Sequence, residues 1–115
     1  MKFGPYSTFR KAGDLVFVSG QLPICPTTGK IETEIKAATI QMFRNMEATL
    51  AEAGLTMANV VKVNVFMKNL EQFTEMNETY AQCFAEPFPA RSCVQVCRLP
   101  KDAIIEAECI AHING

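Results

Sequence analysis

Three residues in the C-terminal third of the chain have side chains that could act on a small carboxylate: Arg91, Cys93 and Glu106. An arginine on a strand presents a planar fork of donors that matches a carboxylate or a phosphate. A glutamate near it can orient or deprotonate a water molecule. If the last two strands pair as a hairpin, the three side chains share one sheet face and could be neighbours. The alternative is that Arg91 and Glu106 form a structural ion pair at a subunit contact.

Cys93 is a candidate nucleophile, but the sequence places no base beside it. The single histidine, His112, lies three alternations beyond Glu106 along the same strand face. We therefore interpret Cys93 as a small buried residue, and the other four cysteines in the same way. No Cys-x-x-Cys pair occurs, so the sequence predicts free thiols and no metal site. Residues 1–5 lack the apolar run of a signal peptide, which predicts a cytoplasmic protein.

Length and charge limit the class of protein. The chain has 115 residues, of which 49% are hydrophobic, and its formal net charge is -1. This length suits a single domain over residues 1–115 with its own core. The near-neutral charge argues against nucleic-acid binding through a broad basic surface. No apolar stretch approaches the length that a membrane-spanning helix needs, so we expect no membrane partner.

The pattern of apolar residues predicts an α+β fold. A strand over 15–19 follows a segment over 6–11 that can pair with it as a hairpin across 12–14. Steps of three and four from Ile35 to Ala53 predict an amphipathic helix, which Gly54 ends. A strand is predicted over 60–67, a second helix from Asn69 that Pro87 and Pro89 end, and two strands over 91–97 and 103–113.

Two helices are too few to cover both faces of such a sheet. We expect the helices to pack on a face made of apolar residues from three strands: Val61, Val63, Val65, Val94, Val96 and Ile105. The other face would carry Arg91, Cys93 and Glu106 beside Val60, Phe66 and Ile110. A partly apolar second face favours a partner over it, so a symmetric homo-oligomer is predicted. The order of the strands does not follow from the pattern.

Two N-terminal segments offer hydroxyl groups at bends of the backbone. Tyr6 and Ser7 follow the rigid Gly4-Pro5 pair, and Ser19 precedes Gly20 at the end of a strand. Both segments are compatible with ordinary turns and equally with the wall of a binding cleft.

These residues are part of a set of motifs that occur together and in order. The set is Gly4-Pro5-Tyr6-Ser7, Phe17-Val18-Ser19-Gly20-Gln21-Leu22-Pro23, Thr28-Gly29, Asn77-Glu78-x-Tyr80, Pro89-Ala90-Arg91-Ser92-Cys93-Val94-x-Val96 and Leu99-Pro100-Lys101-x-Ala103-x-Ile105-Glu106. With these motifs the chain resembles, over essentially its whole length, the RidA family of enamine and imine deaminases, formerly called YjgF.

The resemblance implies a chorismate-mutase-like α+β fold. It implies a mixed, mostly antiparallel sheet with two helices on one face, and a homotrimer whose sheets form a central barrel with ligand clefts between subunits. It also implies a hydrolase of the 2-iminobutanoate/2-iminopropanoate deaminase type. Such an enzyme converts 2-aminoacrylate, 2-aminocrotonate and their imine tautomers to 2-oxo acids and ammonia without a cofactor.

Roles for individual residues follow from the same resemblance. Arg91 would bind the substrate carboxylate, and Glu106 would hold and activate the attacking water. The backbone around Cys93 would hydrogen-bond the substrate nitrogen or that water. The cleft would be lined by Tyr6, Ser19, Gly20 and Asn77.

The chain departs from the family pattern after Tyr6-Ser7, where Thr8-Phe9 replaces the common Gln-Ala. This change predicts a phenylalanine near the cleft, and Phe88 is expected at its rim. Two other functions stay open. One is a non-catalytic protein that binds small carboxylates such as 2-oxo acids, and the other is a ribonuclease or translation inhibitor.

Overall fold

A computed structural model describes residues 2–115, so Met1, the first residue of the stretch considered for a signal peptide, lies outside the described residues. The strands are β1 (Phe9–Ala12), β2 (Leu15–Gln21), β3 (Val60–Met67), β4 (Ala90–Gln95) and β5 (Ile105–His112). The helices are α1 (Ile35–Glu52) and α2 (Phe73–Cys83). Within residues 2–115 no helix is long and apolar enough to cross a membrane.

The five strands form one mixed sheet in the order β1-β2-β5-β3-β4. Strands β3 and β4 are parallel, because α2 connects them as a crossover, and the other neighbours are antiparallel. The predicted hairpin between β1 and β2 is confirmed. The hairpin considered for the last two strands is wrong, because β5 inserts between β2 and β3 and leaves β4 at the edge of the sheet.

Helix α1 forms where its apolar residues recur on one side. Ile35, Met42, Met46 and Leu50 are all at most 2% exposed and pack toward the sheet. The Glu34 carboxylate caps the first turn by accepting the backbone N–H groups of Lys36 and Ala37. At the other end, Gly54 takes the left-handed conformation that favours glycine (φ 77°), as predicted.

The helix-facing side of the sheet differs from the prediction at two places. A bulge between Val60 and Lys62 turns Val60 into the core and leaves Val61 exposed, the reverse of the expected arrangement. In β4, Arg91 and Cys93 lie opposite the buried Val63 and Val65, so they are on the helix side. Val94, expected against the helices, lies on the other face and is 47% exposed.

Glu106 lies on the face opposite to Arg91 and Cys93. It pairs with Phe66, whereas Arg91 pairs with Val63, and directly opposed residues of neighbouring strands share a face. The expectation that Arg91, Cys93 and Glu106 share a face of one chain is therefore wrong. The physical reason is the intervening strand β3, which separates β4 from β5 and sets each of their registers independently.

The face of the sheet away from the helices is mixed and partly uncovered, as expected. Phe17 and Val94 are 43% and 47% exposed on it, and Phe66 and Ile110 are half-buried. Charged residues lie among them, with Lys62 Nζ 3.3 Å from Ser92 Oγ. We call this surface the open face. A small second core of Leu22, Ile24, Leu99 and Ala103 covers only the end near Phe66.

Candidate active site

The structure divides the predicted site residues into two groups. Arg91, Cys93 and Asn77 lie together between the edge strand β4 and helix α2. Tyr6, Ser19, Gly20 and Glu106 lie together in a cavity on the other side of the sheet. No residue of the first group lines that cavity within residues 2–115.

The Arg91 guanidinium is held by helix α2. Its Nη1 donates to Asn77 Oδ1 at 2.6 Å, and its Cζ lies 4.7 Å from the centroid of the Tyr80 ring. Phe73 offers a second ring at 5.5 Å. Stacking on aromatic faces and one amide oxygen fix the plane of the guanidinium while other N–H donors stay free. Within one chain, residues 2–115 show no ion pair between Arg91 and Glu106.

Cys93 is half-buried on the same side of β4 as Arg91. Burial raises the pKa of its thiol, and the nearby Arg91 charge only partly opposes this effect. The thiol therefore stays protonated at neutral pH, which does not suit a thiolate nucleophile. The interpretation of Cys93 as a packing residue agrees with this position.

The second group surrounds a cavity of about 630 Å³. The N-terminal segment, the end of β2, helix α1 and strand β5 each contribute part of its wall. Its lining residues are Phe3, Tyr6, Ser19, Gly20, Gln21, Leu22, Ile24, Pro26, Asn45, Ala48, Thr49, Glu52, Pro100, Glu106 and Glu108. Apolar and polar residues line it in similar numbers, and three glutamates are among the polar ones. A concave pocket in which polar groups converge is typical of a small-molecule site.

Glu106 is the titratable group whose environment is most unusual in this cavity. Burial, followed by the charge of Glu108, raises the pKa of its carboxyl. A carboxylate with a raised pKa is a stronger base than one with the ordinary pKa of a glutamate. The structure thus gives Glu106 the properties required for taking a proton from water.

Gly20 is required by the close approach of Glu106. A Cβ built on Gly20 would lie 2.7 Å from Glu106 Oε2 and 2.9 Å from its Cδ. Ser19 fixes the strand end next to it, because its Oγ donates to the Ser7 carbonyl at 2.7 Å and its N–H donates to the Thr8 carbonyl. Ser19 and Gly20 lie within β2, where its pairing with β5 is irregular between Val18 and Gln21, and Gly20 lies beside the Glu106 carboxylate.

We expect the substitution Gly20→Ala to lower kcat/KM by about 10- to 100-fold, because a displaced carboxyl group is poorly oriented for proton transfer. The fold should tolerate it, since only the flexible end of Glu106 must move. Steady-state kinetics of the variant and the wild type measures the loss in kcat/KM. The double variant Gly20→Ala/Glu106→Gln should have nearly the same kcat/KM as Glu106→Gln alone. If Gly20→Ala lowers kcat/KM as much in the double variant as in the wild type, its effect does not depend on Glu106.

Several cavity residues were missed in the sequence. Asn45 of α1 donates through Nδ2 to the carbonyls of Leu22 and Ile24, at 2.9 and 2.8 Å, and so fixes one wall. An asparagine with two side-chain donors on an otherwise amphipathic helix face is the only signal that could have indicated this. Glu108, which the alternation along the strand places on the same face as Glu106, also lines the cavity.

The residues expected to modify the cleft also differ from the prediction. Phe9 lies opposite Val18 and packs against the main core, so it does not line the cavity. Phe88 lies in the loop before β4 and is 48% exposed. It precedes Arg91 by three residues in the sequence and does not line the cavity of Glu106.

Comparison with known proteins places these motifs in a family. A family model described as Endoribonuclease L-PSP matches residues 1–113. A RutC family protein of Pyrococcus abyssi is 49% identical over 95% of this chain and 87% of that protein. The 2-iminobutanoate/2-iminopropanoate deaminase of Escherichia coli K12 is 43% identical over 94% of this chain and 87% of its own length.

Solved structures show the same fold. The RidA protein from the Antarctic bacterium Psychrobacter sp. has a TM-score of 0.94 at 39% identity, covering 98% of this chain and 92% of that one. Escherichia coli TdcF, crystallised with bound serine, has a TM-score of 0.91 at 41% identity, covering 96% and 90%. Some relatives at this level are named reactive intermediate deaminase or 2-iminobutanoate/2-iminopropanoate deaminase, and others are named endoribonuclease. The resemblance seen in the motifs is thereby confirmed, and this chain belongs to the RutC/RidA family.

Proposed function

We propose that this protein hydrolyses reactive enamines and imines, such as 2-aminoacrylate and 2-aminocrotonate, to 2-oxo acids and ammonia. Arg91 binds the substrate carboxylate, Glu106 activates the attacking water, and the backbone at Cys93 hydrogen-bonds the substrate nitrogen or that water. Tyr6, Ser19, Gly20 and Asn77 line the site. The reaction needs no cofactor, because an imine carbon is already electrophilic.

The observation that carries this proposal is the division of the site residues between two places in one chain. A group that binds carboxylate and a group that can act as a base are both present, but they lie on opposite faces of the sheet. One chain therefore offers two halves of a site. Assembly of several chains would bring the Arg91 half of one subunit against the Glu106 half of the next.

Two surfaces are suited to that assembly. Strand β4 is an edge that pairs only with β3 in the described chain, and an unpaired edge favours contact with another chain. The open face carries exposed Phe17 and Val94. We propose that three chains associate through these surfaces, with their sheets forming a central barrel and the ligand clefts between subunits.

The chemistry balances with one water molecule. Glu106 takes a proton from water as the oxygen bonds to the imine carbon, and the electron pair of the C=N bond moves to nitrogen. Glu106 then gives that proton to the nitrogen, which leaves a neutral amino alcohol. As the amino alcohol collapses, Glu106 takes the hydroxyl proton and passes it to the nitrogen, so that the C=O bond forms, the C–N bond breaks and ammonia leaves. Positioning and a single acid–base group, which contributes of the order of 10²–10⁴-fold, are sufficient for so reactive a substrate.

A second candidate is a protein that binds small carboxylates without turning them over. The structure of TdcF with bound serine supports this alternative, because serine carries a carboxylate and a nitrogen like the proposed substrate. The endoribonuclease for which the family model is named gains no such support, since the net charge of -1 offers no broad basic surface.

The test is a coupled assay with a threonine dehydratase, in which release of 2-oxobutyrate is followed with and without this protein. The proposal expects faster release at catalytic concentrations of the protein. No acceleration would contradict it. Binding of 2-oxobutyrate without any acceleration would favour the carboxylate-binding alternative.

A further inference from the structure

Glu108 lies two residues beyond Glu106 on the same face of β5 and lines the same cavity. Residues two apart on a strand have Cα atoms about 7 Å apart and side chains that point the same way. Both glutamates are half-buried. Two carboxylates in one partly desolvated cavity interact more strongly than they would in water.

Asn64 fixes the second carboxylate. It lies directly opposite Glu108 in the β3–β5 register, and its Nδ2 donates to Glu108 Oε2 at 3.0 Å. Glu108 is therefore held at a fixed place, whereas no side-chain hydrogen bond to Glu106 is found within residues 2–115.

We propose that Glu108, held by Asn64, is a positioning residue whose fixed negative charge strengthens Glu106 as the base that takes a proton from the attacking water. This inference rests on the proposed function. The two carboxylates differ in their surroundings, because the described residues give a side-chain hydrogen bond to Glu108 and none to Glu106.

The electrostatic surroundings of Glu106 agree with this division. After burial, the Glu108 charge is the cause that raises the pKa of Glu106. The other titratable or charged residues that line this cavity and the pocket beside Glu108 are Tyr6, Arg10, Glu52 and Cys109. Lys62 on β3 and Lys101 in the loop before β5 lie on neighbouring elements. Lys62 is engaged with Ser92, and Lys101 lies over the Phe3 ring at 4.9 Å.

The test compares Glu108→Gln, Glu108→Asp and the exposed control Glu47→Gln in the coupled assay across pH. We expect Glu108→Gln to shift the acid limb of the kcat/KM profile to lower pH and to lower its plateau about 3- to 10-fold, since a weaker base transfers protons more slowly. Glu108→Asp keeps the charge and should keep the limb near its wild-type position. Glu47→Gln should change neither quantity.

A direct measurement separates this inference from the function on which it rests. Titration of the glutamate carboxyl carbons by ¹³C NMR, with Glu106→Gln to assign the signal, should show a lower pKa for Glu106 in Glu108→Gln than in the wild type. An unchanged pKa of Glu106 and an unmoved acid limb would overturn the role of Glu108 while deamination stands. A wild-type protein without deaminase activity would instead overturn the proposed function.

Discussion

Replacing Arg91 with alanine should lower kcat/KM for imine hydrolysis by about 10²-fold or more, since a charge-assisted bidentate contact is lost. The substrate carboxylate keeps its charge throughout the reaction, so Arg91 binds the ground state and the transition state almost equally. The loss should therefore appear mainly as a higher KM, with a smaller change in kcat. Steady-state kinetics in the dehydratase-coupled assay separates the two.

The variant Arg91→Lys separates the effect of the positive charge from that of the guanidinium geometry. Lysine keeps the charge but loses the planar fork that stacks on Tyr80 and donates to Asn77, so an intermediate KM is expected. Arg98→Lys is the matched control, because Arg98 is exposed and paired with Asp102 away from both halves of the site. Arg91→Ala kinetics equal to wild type would show that Arg91 does not bind the substrate.

Replacing Glu106 with glutamine should lower kcat by about 10²- to 10⁴-fold with little change in KM, because the base acts in the transition state. The wild-type activity should fall as the pH drops through the pKa of Glu106, since a protonated carboxyl cannot accept a proton from water. That pKa is raised by burial and by Glu108, so the acid limb should lie above the ordinary range of a glutamate. The glutamine variant should lack this limb.

The melting temperature provides the control for Glu106→Gln. A carboxyl whose folded-state pKa is raised costs stability when it is ionised, at pH values above that pKa, and ceases to do so as the pH falls through it. Glutamine carries no charge, so Glu106→Gln should unfold at the same temperature as the wild type or higher at neutral pH. A large drop in melting temperature would assign the lost activity to unfolding instead.

The secondary structure could be predicted well from the sequence, because apolar residues recur at the spacing of a helix or a strand and glycine or proline ends the helices. The steps from Ile35 to Leu50 and the turn at Gly54 determine α1 almost to the residue. The bounds of β3 are also those expected. The face of the sheet on which each side chain lies was harder to predict. The bulge next to Val61 has no signature in the residue types, and it reverses the alternation of buried and exposed residues before it.

Strand β4 shows why a pattern alone can assign the wrong face. Ser92 and Val94 alternate with Arg91 and Cys93, so each side carries one polar and one less polar residue. Only the parallel pairing with β3 decides which side meets the helices, and that pairing depends on the crossover through α2. The open position of Val94 suggests that its apolar surface serves contact with another chain.

The site was predictable where motifs mark it and unpredictable where it depends on long-range packing. Ser19, Gly20 and Glu106 were expected together and do meet in one cavity. Asn45 joins them only because α1 packs over the end of β2, and Asn64 contacts Glu108 only because β3 pairs with β5. The separation of Arg91 from Glu106 follows from strand order, which local sequence does not specify.

The central claim is that one chain supplies Arg91 and its neighbour supplies Glu106. The most direct measurement is to refold an equal mixture of Arg91→Ala and Glu106→Gln chains and assay it. If each site takes one residue from each of two adjacent subunits, about a quarter of the sites in a random mixed trimer are intact. The mixture should then regain up to about a quarter of wild-type activity. Activity no higher than that of the two separate variants, in mixtures shown by native mass spectrometry to contain hybrid oligomers, would contradict a shared site.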